Sequence, residues 1–459
     1  MDDLVMLSRV QFGLTIAFHY LFPPLSIGLG LFLVIAEGTY LKTKNELYHR
    51  MTRFWVRIFG LIFALGVATG IVMEFQFGTN WSVYSRYVGD VFGSALAAEG
   101  VFAFFLESGF LAILMFGWDK VKPRTHFFAT IMVAAGAHFS AIWIVVANSW
   151  QQTPAGYHLV QTANGVRAEI TDFWAVVFNP SFLDRISHVY MGAWQAAVAL
   201  VLSVAAFYLI RKKHRAFAIG SMKIALVIGV VASIGQLVTG DFSAKTVAAT
   251  QPAKLAAFEG HFAANAPAGA YLFGWVDDDA ETVSGVEIPG LLSWLIYGDT
   301  QAPVTGLKSF SKEDRPPVNL TFQAYHLMVA IGMTLILLML FSIFLWWRGK
   351  LWDTRWFLWV LVFAVILPEL ANQLGWFTAE VGRQPWIVYG LLRTSDAVSL
   401  SVTAAEVWTS LILFGIIYLL LGALFIYLLN EKIQHGPDEE TPPRPTDDRA
   451  IIAEGGPRA

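Results

Sequence analysis

The sequence predicts an all-α polytopic membrane protein with nine transmembrane helices, and three observations carry that reading. Of its 459 residues, 56% are hydrophobic and only 14% charged, against about 25% charged for a soluble chain. Nine apolar stretches are each long enough to cross a bilayer, which takes about 20 residues. The basic residues between them alternate from loop to loop without exception.

The first stretch, near 10–39, follows Asp2 and Asp3 rather than a basic leader. Its apolar run from Phe12 to Ala36 is too long for a cleavable signal, so it reads as the first span. The others lie near 54–77, 92–117, 126–148, 185–210, 219–240, 320–347, 356–380 and 404–430. Loops after the first, third, fifth and seventh spans carry sixteen Lys and Arg, from Lys42 to Arg355. The alternate short connections offer only Arg86, Arg167, Arg185, Arg383 and Arg393. That asymmetry places the N-terminus outside and the C-terminus in the cytoplasm.

Four regions follow. Residues 1–240 hold helices one to six, and 241–319 form a long outer segment rich in Ala, Gly, Pro and Asp, with a short helix expected over Lys254–Phe262. Residues 320–430 hold helices seven to nine. Residues 431–459 are Pro-rich and charged, which predicts a disordered cytoplasmic tail.

Composition also excludes. Net charge is −3, with no basic excess to attract nucleic acid. The chain has no cysteine, which removes disulfides, zinc–thiolate sites, iron–sulfur clusters, covalently attached c-type haem and a Cys nucleophile. A redox metal here must use His, Met or carboxylate.

Ionisable side chains inside spans are costly and point to function. The set is His19, Glu74, Glu99, Glu107, His138, His188, His326, Glu369, Glu380 and Glu406. Counting inward at about 1.5 Å per residue, His188 lies roughly one turn inside span five, and Met328 and Glu99 about two turns inside spans seven and three. Glu380 and Arg383 end span eight on the outer side, and His19 sits further in. The buried polar groups therefore gather in the outer half. Without Cys, a low-spin haem needs a His–His or His–Met pair, and His188 with Met328 has matching depth. Each also has a plainer reading, as core methionine or as a histidine bonded to a carbonyl, and spacing alone does not choose. Glu99 and Glu107 are about 80° apart on an ideal helix, suited either to relaying protons or to bonding neighbouring helices. An ion-coupled transporter with buried carboxylates is the competing class; the lack of an internal repeat argues against it.

Specific strings go further. GWFTAEVGRQPW at 375–386, GIVMEFQFGTNW at 70–81, AAEGVFAFFLES and LSRVQFGLTIAFHYLFPPLSIG strongly resemble subunit I of the cytochrome bd family of quinol oxidases, over Leu7 to Leu429. The resemblance implies oxidation of a membrane quinol and reduction of O2 to water, in a bacterial inner membrane and without proton pumping. By resemblance, His188 and Met328 are ligands of low-spin haem b558. His19 and Glu380 match ligands of the two high-spin haems, b595 and d, in an order left open. Glu99 matches the carboxylate beside that pair, Glu107 with Ser140 the proton path from the cytoplasm, and Lys254 and Glu259 the outer quinol loop. Arg383 would hold haem propionates or stabilise that region. The implied partners are a second large subunit, subunit II, and in some members a small single-helix subunit. The outer segment is of the short type, and GRQPWIVYGLLRT resembles the cyanide-insensitive branch, where a third b-type haem can stand in place of haem d. His326 departs from the Arg that better-known members carry two residues before the ligand methionine, which would alter the potential of b558.

Overall fold

The computed structural model describes residues 2–163, 165–263 and 266–438. Nine stretches among these residues are long and apolar enough to cross a membrane, as the hydropathy predicts. The first is α1 (Asp2–His19) with α2 (Pro23–Thr43), and the second is α3 (Glu46–Thr79). After the short α4 (Ser82–Tyr87), the third comprises α5 (Gly89–Glu99), a π-helical turn Gly100–Phe104 and α6 (Phe105–Phe116). The fourth is α7 (Pro123–Gln152). Short α8 (Phe173–Val177) precedes the fifth, α9 (Phe182–Ile210), and the sixth, α10 (Arg215–Thr250). Then come α11 (Pro252–Glu259), α12 (Leu291–Tyr297) and the seventh span, α13 (Val318–Trp347). The eighth is α14 (Arg355–Phe363) with α15 (Ile366–Val381), and the ninth is α16 (Ala404–His435).

Local chemistry explains the ends. Asn45 caps α3 by accepting from the Leu47 amide, and Thr403 with Glu406 forms a capping box at α16. Pro23 and Pro24 lack amide hydrogens, so the first span breaks at Tyr20–Phe22 and α2 begins at the prolines. The eighth breaks at Ala364–Val365, just before Pro368. Neither break shows in hydropathy, because both flanks are apolar.

Small residues set the packing. A Cβ on Gly28 of α2 would stand 2.5 Å from Ala197 of α9, and one on Gly30 would stand 3.2 Å from Ala134 of α7. Close backbone approach of this kind is how membrane helices gain contact without a hydrophobic driving force. The Ala-rich α9 is the most enclosed span and α16 the least.

The loops fall on two ends. At the basic end, Arg57 bonds Asp438 at 2.7 Å, Arg215 bonds Asp353 at 3.0 Å, and the Tyr208 hydroxyl donates to the Ile433 carbonyl. The other end carries four antiparallel strand pairs that the helical reading did not anticipate. These are β1 (Tyr157–Thr162) with β2 (Gly165–Ile170), and β3 (Ala266–Pro267) with β6 (Pro303–Val304). The remaining two are β4 (Ala270–Asp277) with β5 (Thr282–Ile288), and β7 (Trp386–Val388) with β8 (Leu392–Arg393). We call this the hairpin end. The sixth helix runs ten residues past the expected start of the outer segment, to Thr250, and the short helix lies at Pro252–Glu259 rather than Lys254–Phe262. The ninth helix continues into the expected tail as far as His435, and residues 439–459 of that tail lie outside the described residues.

Candidate functional site

His188 of α9 faces α10. Its Nδ1 is 3.0 Å from the Thr239 hydroxyl, which donates to the Gly235 carbonyl one turn back at 2.8 Å. The threonine has spent its own hydrogen, so it accepts from His188 Nδ1–H, and Nε2 is left as the acceptor nitrogen of the ring. The Gln236 amide approaches that nitrogen at 2.9 Å. Gly240 completes the cradle: a Cβ there would stand 3.4 Å from His188 Cε1.

His19 repeats the arrangement at the end of α1. Its Nδ1 is 2.9 Å from the Thr69 hydroxyl of α3, which donates to the Leu65 carbonyl at 2.8 Å. A Cβ on Gly70 would stand 3.2 Å from His19 Cε1. Both histidines are thus fixed in the tautomer that offers Nε2 to a metal, with Nδ1 held by an outer partner. Sequence reading missed Thr69, Gly70, Thr239 and Gly240; the Thr-Gly pair in spans two and six was the available signal.

Met328 of α13 points its sulfur at α15, 3.1 Å from the Cβ position of Gly375. One turn back on α15, the Asn372 side chain packs on Gly192 of α9, one turn beyond His188. Helices α10 and α15 each pack against both α9 and α13. His326 lies between two carbonyls, with Nδ1 2.9 Å from Phe322 O and Nε2 2.9 Å from Tyr271 O, and its ring stacks on Phe322 at 3.8 Å.

Glu380 ends α15 inside a polar network. Arg383 binds its Oε2 at 2.5 Å, while the amides of Asn148 and Gln152 donate to Oε1 at 2.9 and 3.1 Å. Lys254 donates to Gln152 at 2.7 Å and to Gln251 at 2.8 Å, and Arg185 reaches Asn148 at 3.3 Å. Arg383 is buried and the Glu380 side chain is partly exposed. Burial, reinforced by Arg185 and Arg383, holds the Lys254 ammonium well below the usual lysine range. A cavity of about 210 Å³ adjoins the network, lined by Lys254, Arg383, Phe310, Asp314, Trp386 and Tyr389. Glu259, two turns after Pro252 on α11, is buried and hydrogen-bonded to Tyr325; burial pushes its carboxyl up to about 7, which the tyrosine bond partly opposes. The Tyr325 ring stacks on Phe258 at 4.1 Å.

The third span lines up two more carboxylates. Glu99 and Glu107 flank the π-turn, which adds about one residue to the helical register and brings their separation from about 80° to about 20°. Both face α7. Ser140 donates to Glu99 at 2.7 Å, and one turn away a Cβ on Gly136 would stand 2.8 Å from Glu107 Cβ. Ser140 thus bonds Glu99 directly, and Glu107 lies one turn away along the same face of α7. Glu74, one turn along α3 from Gly70, faces Glu99.

Other members of the polar set have structural partners. Glu406 belongs to a cap, and His138 is held by the Ala134 carbonyl and the Trp194 indole. Glu369 is different: both carboxylate oxygens are buried and have no hydrogen-bond partner.

These donors suit haem iron: two tautomer-fixed histidines, a thioether and a carboxylate, in a chain with no thiolate. The description "Cytochrome bd terminal oxidase subunit I" matches residues 7–437. The chain belongs to that family. It is 40% identical to "Cytochrome bd ubiquinol oxidase subunit 1" of Bacillus subtilis (strain 168), over 96% of this chain and 95% of that one. It is 36% identical to "Cytochrome bd-II ubiquinol oxidase subunit 1" of Escherichia coli (strain K12), over 97% and 99%. The bd oxidase structure from Geobacillus thermodenitrificans superposes with a TM-score of 0.87 at 31% identity, covering 95% of this chain and 99% of that chain. This cytochrome bd subunit I is a haem-binding, multi-pass bacterial membrane protein that serves a terminal oxidase.

Proposed function

We propose that this cytochrome bd subunit I forms, with subunit II, a quinol:oxygen oxidoreductase of the bacterial plasma membrane. The complex oxidises membrane quinol and reduces O2 to water. In some members a small single-helix subunit also joins. The basic end faces the cytoplasm, by the charge asymmetry of the loops.

Haems b558 and b595, with haem d or a third b-type haem, supply one-electron carriers and an iron site for O2 when bound. His188 and Met328 hold the low-spin haem b558. His19 and Glu380 hold the two high-spin haems, and Arg383 fixes Glu380 and receives propionate charge. At the hairpin end, Glu259 accepts the proton of a quinol hydroxyl, with Lys254 as hydrogen-bonding partner. Its carboxyl near 7 suits a group that must both take and release protons. Glu107, buried against Gly136, and Glu99, bonded to Ser140, carry protons inward from the cytoplasmic side. Quinol protons leave at one end and chemical protons enter from the other, so charge separates without a pump.

The observation that carries this reading is the paired His–Thr–Gly cradle, which fixes both imidazoles in the tautomer whose Nε2 can act as a donor to iron, in a cysteine-free bundle. The test is a reduced-minus-oxidised spectrum of the purified complex, with extracted haems identified and quinol-dependent O2 uptake measured. Two b-type haems and a red-shifted chlorin band are expected, or three b-type haems in the variant form. A preparation without haem overturns the proposal.

A further inference from the structure

The β4–β5 hairpin presents two unlike faces. Its inner face, with Tyr271, Val276 and Val283, packs on α11 and α13; a Cβ on Gly260, beside Glu259, would stand 2.8 Å from Val283. Its outer face is apolar and uncovered. Phe273 and Trp275 are each 64% exposed, and Val286, which pairs with Phe273, is 46% exposed. The register shifts at Leu272, and this bulge turns one more apolar side chain outward. Glu287, on the neighbouring position of β5, is exposed and bonds Tyr271 on the side of the strand opposite Val286.

The depth of this face can be read from α13. His326 binds the Tyr271 carbonyl, Gln323 the Gly274 carbonyl, and Asn319 the Val276 amide, so β4 runs alongside the outer two turns of the seventh span. His326 lies 21 residues from Trp347, about 31 Å along the helix. Trp347 is exposed at the basic interface and is followed by Arg348 and Lys350. A hydrocarbon layer about 30 Å thick that starts near Trp347 therefore ends close to His326. The deep end of the hairpin, with Leu272, Phe273, Val286 and Ile288, is level with that boundary. The tip, with Asp277, Asp278 and Asp279, points away from it. An apolar and aromatic face at this level, with charges beyond, matches the composition of membrane interfaces.

We propose that the β4–β5 hairpin is a membrane-interface element whose outer face beds in the outer leaflet. Trp294 and Tyr297 of α12, at the same end of the molecule, are also exposed. The lipid here is the partner, and the seated hairpin forms the bilayer-side wall over the end of α11.

The chain has no cysteine, so a single introduced one reports its own surroundings. Phe273→Cys, Val286→Cys and Asp279→Cys are labelled with a fluorophore in the assembled complex in vesicles, beside a labelled wild-type complex as the blank. Acyl-brominated lipid should quench the labels at 273 and 286 but not at 279, and aqueous iodide should quench only 279. Iodide quenching at 273 and 286 would show a hairpin standing in water. Shielding from both quenchers would show a protein cover, such as subunit II. Either outcome overturns the proposal. Positions 273 and 286 lie on different strands of one face, so each checks the other if one substitution prevents assembly.

Discussion

His188 and His19 occupy the same local device in different surroundings. In both, a threonine on the facing helix takes the Nδ1 hydrogen and the next residue is glycine, which lets the imidazole lie on bare helix backbone. Around His188 lie Gln236 on α10 and, one helical turn back, Arg185 of the charged network at the hairpin end. His19 sits beside a broken helix, with Tyr20 against Trp376 and Glu74 one turn beyond its glycine. Hydrogen-bond chemistry explains the likeness: a threonine hydroxyl that donates one turn back along its own helix keeps a lone pair with which to accept from a side chain on a facing helix. Tertiary packing makes the difference, a methionine-bearing helix near one histidine and a carboxylate-bearing region near the other.

The comparison can be broken most directly at the ligands. His188→Ala or Met328→Leu should abolish or convert the low-spin b spectrum while the protein still inserts. His19→Ala should spare that spectrum and remove a high-spin component. Survival of an intact spectrum after either His188→Ala or Met328→Leu ends the ligand assignment. Glu107→Gln should then slow turnover by about 100-fold with all haems retained, the scale for loss of a proton-transfer group. Loss of haem in that variant would make Glu107 structural.

Smaller effects sharpen the likeness of the two cradles. Thr239→Val and Thr69→Val remove only the outer partner of each histidine, which should weaken haem retention by about 10-fold in each case, measured by haem transfer to an apo-globin acceptor. Unequal losses would show that the two threonines do different work. The smallest effect is on pH dependence. Glu259 is a better proton acceptor when ionised, so quinol oxidation should rise as pH increases through about 7 and decline below it. Glu259→Gln should flatten that limb; an unchanged profile assigns the proton transfer elsewhere.

Much of this was legible in the chain. Hydropathy alone gives nine spans because each must cover a bilayer with apolar residues, and that constraint leaves a signal about 20 residues long. The strings around His19, His188, Met328 and Glu380 marked the candidate ligands by resemblance. The two strand pairs within residues 241–319 were not visible, since that segment alternates weakly and is broken by Gly and Pro, and the pairs at 157–170 and 386–393 are short connections between spans. The breaks after Tyr20 and Ala364 were hidden for a different reason: the backbone bonds of Leu21, Phe22 and Leu367 shorten to i→i−3 there while hydropathy stays high.

By itself, then, the sequence determined the number of spans, the basic and non-basic ends, and the absence of thiolate chemistry, because each depends on composition along a short stretch of chain. Only the tertiary structure decided which groups meet. Thr69 and Thr239 became partners of histidines 50 and 51 residues away, and Asn148 and Gln152 became partners of a carboxylate more than 220 residues on. The π-turn at Gly100–Phe104 turned Glu99 and Glu107 onto one face. Such contacts depend on the angle and approach of neighbouring helices, set by glycines such as Gly28 and Gly136, and no local pattern in the chain records that approach.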